Sequence, residues 1–134
     1  METIYLAAPL FTEAEKRFNS YLAEKLREKG HTVFVPQEIE YDYRVKPLSP
    51  ELKQEIYHND IQGLTSATLV VAVIDGSDAD SGTAFEIGYA AARGTPVYCL
   101  RTDVRKVDDF EYVNLMLEAE TTVFTSVEKL LKAL

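Results

Sequence analysis

One run in this chain, "TLVVAVI" at residues 68–74, limits its architecture more than any other stretch. From Leu69 to Ile74 no polar residue interrupts it, so a strand built from it must be covered on both faces. A strand of that kind belongs in a parallel sheet with helices above and below, and the flanking segments supply both. "TIYLAAPL" (3–10) reads as a first strand. It leads into "FTEAEKRFNSYLAEKLREKG", where Ala14, Phe18, Tyr21, Leu22 and Leu26 recur at helical spacing until Gly30 ends the pattern. "HTVFVP" (31–36) is a second strand stopped by Pro36, and the polar, aromatic "QEIEYDYRVKPLS" is a loop longer than most connections. Ser49 and Pro50 open a second helix as cap and first residue. After the turn "DGSDAD" a third helix runs from about Ser81 to Arg93, with Gly94 as its stop. A strand "PVYCLR" (96–101), a polar connection, a short helix "NLMLEA" and a last strand "TTVFT" follow. "SVEKLLKAL" closes the chain as a helix capped by Thr125 or Ser126.

Strands alternating with helices predict an α/β fold: one doubly wound domain over residues 1–134, with a five-stranded parallel sheet in the flavodoxin-like order 2-1-3-4-5. Ligands of such sheets bind beyond the carboxyl ends of the strands, at the switch point between strands 1 and 3. That rule picks out "AAPLFT", "IDGSDADSG" and the loop after Pro36 before any chemistry is considered. No apolar run approaches the roughly 18 residues of a membrane span, and Met1 leads straight into a core strand rather than a secretory leader. The single cysteine, Cys99, excludes an internal disulfide, and the two histidines lie too far apart for metal-ligand spacing. The expectation is a cytoplasmic protein without metal or cofactor. A net charge of -8 and a pI near 4.7 exclude the basic face that nucleic acid or an anionic membrane requires, and favour a small ligand with little charge.

Four acidic residues fall on or near the predicted ligand edge: Asp60, Asp75, Asp80 and Glu86. Asp75 before Gly76 has the form of a turn residue, and Asp80 before Ser81 that of a helix cap, so each has a structural reading beside a functional one. Glu86 is different. It stands among Ala84, Phe85, Ile87, Ala90 and Ala91, so its helix should be largely buried, and a carboxylate there needs partners or a purpose. His58 reads as an ordinary helix-face residue and Cys99 as a small core hydrophobe.

"IYLAAPLFT", "NDIQGL", "DSGTAFEIGYA" and "NLM" occur in this order over nearly the whole chain, and together they resemble the nucleoside 2-deoxyribosyltransferases. The resemblance implies that Glu86 is the nucleophile, Asp60 the proton-handling acid and Tyr5 the residue that orients Glu86. It also implies that Asn114 is lent to the site by a neighbouring subunit, so the expected partners are free nucleobases, 2′-deoxynucleosides and further copies of the chain in a homo-oligomer with shared active sites. A C1′–N bond breaks through an oxocarbenium-like state, which a carboxylate below the sugar stabilises and then captures as an ester. A neighbouring carboxylic acid, kept neutral by like charges, protonates the departing base. A second base attacks the ester, giving exchange with retention, and water replaces it slowly when no base is present. Asp80 would accept hydrogen bonds from the sugar hydroxyls, and Gln37, Tyr41 and Tyr43 would sandwich and read the base, unless they merely cover the sheet edge. A strand tyrosine such as Tyr5 also has the simpler reading of core packing.

The chain departs from some members in two places: Leu10 stands where they have a tryptophan, and the C-terminus "LLKAL" lacks their terminal aromatic. Base preference is open on that account. An N-glycosidase of deoxynucleoside 5′-monophosphates would use the same glutamate, but its phosphate needs a Gly- and Arg-rich first loop that "AAPLFTEAE" lacks. A phosphoacceptor receiver domain would need acidic residues where Ala7 and Ala8 stand, and a dinucleotide site would need G-x-G-x-x-G. A nucleotide-sensing module without turnover is the remaining alternative.

Overall fold

In the computed structural model, which describes residues 1–42 and 47–134, strand and helix alternate as the hydrophobic pattern predicts. β1 (Thr3–Ala7) passes through α1 (Glu13–Glu28) to β2 (Thr32–Phe34) and a short 3-10 turn (Pro36–Glu38). α2 (Pro50–Ser66), β3 (Leu69–Val73), α3 (Ser81–Ala92) and β4 (Val97–Leu100) follow, and α4 (Leu115–Glu120), β5 (Thr122–Phe124) and α5 (Val127–Lys132) end the chain. The strands pair in parallel in the order β2-β1-β3-β4-β5, the flavodoxin-like arrangement expected.

Alternation along β1 separates two cores. Ile4 and Leu6 face α1 and α5, where they meet Leu22, Leu26 and Leu130, whereas Tyr5 and Ala7 face α2 and α3, where they meet Leu64 and Ile87. Leu69–Ile74 is buried throughout, as a doubly covered strand requires. Full burial of a leucine such as Leu22 contributes about 1.5–3 kcal/mol, so both layers are held by ordinary apolar packing.

The helix stripe of α1 differs from expectation. Ala14 and Tyr21 are exposed, and the buried positions are Asn19, Leu22, Ala23 and Leu26, a clean i, i+3, i+4, i+7 face with a polar residue at its start. Asn19 is tolerated there because its Nδ2 donates to the Pro9 carbonyl and to Gln37 Oε1, both at 2.9 Å.

The loops at the carboxyl edge are set by caps. A capping box closes on Thr12, whose Oγ1 accepts from the Glu15 amide at 3.1 Å while Glu15 Oε2 accepts from the Thr12 and Phe11 amides at 3.0 and 2.9 Å. Asp80 caps α3 and Ser126, rather than Thr125, caps α5. Gly76, at φ 105°, supplies the left-handed residue with which the chain turns away from β3.

Candidate active site

A cavity of about 530 Å³ opens at the carboxyl edge, beside the switch point between β1 and β3. Ala8, Leu10 and Phe11 of the loop after β1 form one wall, and Gln37, Ile39 and Tyr41 form another. α2 contributes Ile56 and Asp60, and the first two turns of α3 contribute Gly82, Thr83 and Glu86 below Asp80. The lining is mostly apolar with a few convergent acids, the composition of a small-molecule site.

Glu86 is half-buried rather than enclosed: it lines the cavity, and its neighbour Phe85 is exposed. Burial pushes its carboxyl up to about 8, the Asp60 and Asp80 charges push in the same direction, and Tyr5 pulls the other way. Burial likewise raises Asp60, to about 6. The expected neutral acid was Asp60, held neutral by like charges. Desolvation is the cause at Asp60, and the larger rise is at Glu86, where the Asp60 charge adds to burial.

Tyr5 lies beneath this pair, fully buried on β1, and burial followed by the Glu86 and Asp60 charges drives its phenol far above the usual range. Its ring stacks on Phe34 with centroids 5.4 Å apart and planes at 13°. Although Tyr5 is near enough to lower Glu86, neither Tyr5 Oη nor Glu86 Oε2 has a hydrogen bond of normal geometry among the described residues. Distance and angle define a bond, so the two atoms are neighbours that remain unsatisfied. Glu86 lines the cavity and Tyr5 does not, so of the two only the Glu86 carboxyl is in reach of a ligand there.

The remaining predicted residues fall into three groups. Asp80 lines the cavity while one carboxyl oxygen, Oδ2, caps the Thr83 amide at 3.0 Å, so the helix-cap reading holds and the residue also stands in the cavity wall. Gln37 and Tyr41 also line the cavity. The Gln37 amide, however, is engaged: Nε2 donates to the Lys16 carbonyl and Ser20 Oγ at 2.9 and 3.1 Å, and Oε1 accepts from Asn19. It ties the turn after β2 to α1. The Tyr41 hydroxyl accepts from Asn59 Nδ2 at 3.0 Å, and Tyr43 lies outside the described residues. Asn114 does not line the cavity of its own chain, where its Oδ1 caps α4 by accepting from the Met116 amide at 3.0 Å.

Asp75 is structural: Oδ1 accepts from the Thr102 and Asp103 amides at 2.6 and 2.9 Å, and Oδ2 accepts from the Thr102 hydroxyl at 2.6 Å. Sequence reasoning missed Lys16, a cation in the cavity wall, and Phe11, which is 72% exposed beside it. Lys16 falls one turn into α1 from the Thr12 cap, and that spacing from a switch-point loop was the available signal. Among the described residues no group of three or more His, Cys, Asp or Glu side chains is arranged to hold a metal ion, and no helix is long and apolar enough to cross a membrane.

The family model described as nucleoside 2-deoxyribosyltransferase matches residues 4–117. Among solved structures, the 2-deoxyribosyltransferase of the psychrotolerant bacterium Bacillus psychrosaccharolyticus is 30% identical with a TM-score of 0.81, over 95% of this chain and 88% of that one. A conserved protein from Enterococcus faecalis V583 is 31% identical with a TM-score of 0.80, over 96% and 94% of the two chains. The 2-desoxiribosyltransferase of Leishmania mexicana is 25% identical with a TM-score of 0.71, over 94% and 91%. Among curated proteins none matches.

Proposed function

The chain belongs to the nucleoside 2-deoxyribosyltransferase family, and from that premise we propose that it moves 2-deoxyribose between nucleobases through a covalent ester on Glu86. The observation that carries this reading is the carboxyl pair: Glu86 and Asp60 both line a mostly apolar cavity of about 530 Å³, and burial raises both carboxyls. Catalysis uses the arrangement with the proton on Asp60 and the charge on Glu86. A Glu86 oxygen bonds to C1′ as the C1′–N bond breaks. The bonding electrons leave on the base nitrogen, and Asp60 delivers the proton there. In the second half the incoming base bonds to C1′, Glu86 departs as carboxylate, and the base N–H proton returns to Asp60. Tyr5, buried next to Glu86, donates to it once a sugar orients the carboxylate. Asp80 holds the sugar hydroxyls through the oxygen not used in its cap.

Incubation with deoxyinosine and free adenine, free cytosine or no acceptor tests the reading. A new deoxynucleoside should form with an acceptor, and slow release of hypoxanthine should occur without one. Release of free deoxyribose at one rate in every arm would instead identify a hydrolase.

Lys16 favours one second reading, cleavage of a deoxynucleoside 5′-monophosphate by water, since a cavity-wall ammonium attracts phosphate. Asp60, Asp80 and Glu86 outnumber it in the same cavity, so the uncharged nucleoside is the better fit. Comparison of deoxycytidine with its 5′-monophosphate separates the two.

A further inference from the structure

Arg101, at the end of β4, is 1% exposed and pairs with no carboxylate among the described residues. Among the described residues its two terminal nitrogens donate to backbone carbonyls, and its buried Nε has no hydrogen-bond partner. Nη1 donates to the Ile74 carbonyl at 2.7 Å, and Nη2 donates to the Gly76 carbonyl at 3.0 Å and the Arg105 carbonyl at 2.7 Å. The Tyr112 ring lies over it at 5.6 Å, and the Tyr112 hydroxyl donates to the Asp103 carbonyl at 2.6 Å. Burying a cation is costly, and an apolar side chain of similar volume would fill the same space. What an apolar side chain would not do is join the segments that own those carbonyls.

Those segments are the turn after β3 and the long connection after β4. Arg101 donates from the connection to the turn, and Asp75 reverses the direction by accepting from Thr102 and Asp103. The turn ends at Asp80 in the cavity wall, and the connection ends at Asn114, the cap of α4. We propose that Arg101 is a positioning residue that makes one rigid body of these two loops, so that Asp80 of its own site and Asn114, offered to a second copy of the chain, are held in fixed relation. The assignment of those two residues to sugar binding rests on the transferase reading; the mechanical coupling of the loops does not. Arg101 touches neither the cavity lining nor the carboxyl pair, so its effect belongs to substrate holding rather than to bond breaking.

Amide hydrogen exchange of Arg101→Ala, without substrate, tests the coupling. Exchange should accelerate by about tenfold or more in segments 75–80 and 102–114 together, with α1 and β2 unchanged, because local opening free energy falls only where the clip acts. Millimolar guanidinium ion, filling the vacated site, should restore protection in both. A uniform rise over the whole chain, a response in one segment alone, or no response to guanidinium overturns the proposal. If the alanine variant does not fold, Arg101→Lys carries the test, since one ammonium does not span three carbonyls and both segments must again loosen. In the exchange assay, KM for the deoxynucleoside should rise about tenfold with kcat nearly unchanged, the signature of lost uniform binding. A fall in kcat at constant KM overturns the positioning role. A wild type that transfers no deoxyribose refutes the transferase reading instead, and leaves the coupling to be decided by hydrogen exchange.

Discussion

At the scale of single residues, the carboxyl pair links stability to activity. Glu86 binds its proton more tightly in the fold, at about 8, than at the ordinary 4.5, so the folded state carries more protons than the unfolded one between those values. Stability contributed by this group is therefore present at low pH and is lost as pH rises through that window. Asp60, raised from 3.8 to about 6, acts in the same sense over a lower range. Glu86→Gln removes the first effect, and above about pH 8 the variant should be more stable than the wild type by about 1–2 kcal/mol, after allowance for partial exposure. Thermal melts from pH 5 to 9 check this; parallel curves for the two proteins would refute the buried-acid picture. The same substitution should reduce base exchange by at least about a thousandfold, because the nucleophile is gone. Wild-type kcat/KM should trace a bell with limbs near 6 and 8, the pair's two ionisations, and a profile flat across neutrality would exclude a shared proton. Glu86 was legible in the sequence because a carboxylate amid Ala, Ile and Gly is anomalous in any helix. The proton's place was not, because it depends on how deeply α2 and α3 sink two carboxyls, which no spacing encodes. Gln37 was legible as a cavity residue but not as a strut, since its partners Lys16, Asn19 and Ser20 lie on a different helix.

At the scale of elements, the floor of the cavity depends on the close approach of α2. A Cβ added at Gly63 would meet the Phe34 ring at 2.9 Å, and that ring is stacked on Tyr5. Gly63→Ala gains about 0.5–1 kcal/mol of helix propensity. Overpacking that displaces the stacked ring costs about 1–3 kcal/mol, so the variant should be the less stable. Displacement of Tyr5 should also slow sugar transfer in proportion. Gly88 on α3, where an added Cβ meets nothing within 4 Å, is the matched control, and Gly88→Ala should stabilise by about 0.5–1 kcal/mol. Chemical denaturation of both variants decides the pair; equal effects would mean that Phe34 yields freely. Strand order and helix placement were legible because the run at Leu69–Ile74 admits only a doubly covered sheet. The buried face of α1 was misread at Tyr21 because an aromatic counts as apolar in a periodicity, whereas Asn19 took a core position through partners outside the helix.

At the scale of the whole molecule, several large apolar side chains near α4 are left in solvent. Phe110 is 95% exposed, Met116 71%, Leu115 56% and, on the adjoining α3, Phe85 54%, whereas Leu117 of the same helix packs into the core. An apolar group of this kind beside Asn114 supports the reading that each site is completed by a second chain. Mixing inactive Glu86→Ala with inactive Asn114→Ala under conditions of subunit exchange should restore part of the activity, because some interfaces then hold one intact copy of each residue. No recovery despite demonstrated exchange would confine the site to one chain. The composition of this surface was legible in "FEYVNLMLEA", but its exposure was not, since the segment could equally have folded onto its own sheet. The sheet order described above also has a consequence in time. β1, the strand that carries Tyr5, precedes β2 and β3 in the chain, yet its inner neighbour β3 begins only at Leu69. Until then the nascent chain offers it nothing but the three-residue β2. β1 is therefore paired along one edge only until β3 arrives, and the cavity comes into existence when the centre of the sheet closes, not as its walls are translated one by one.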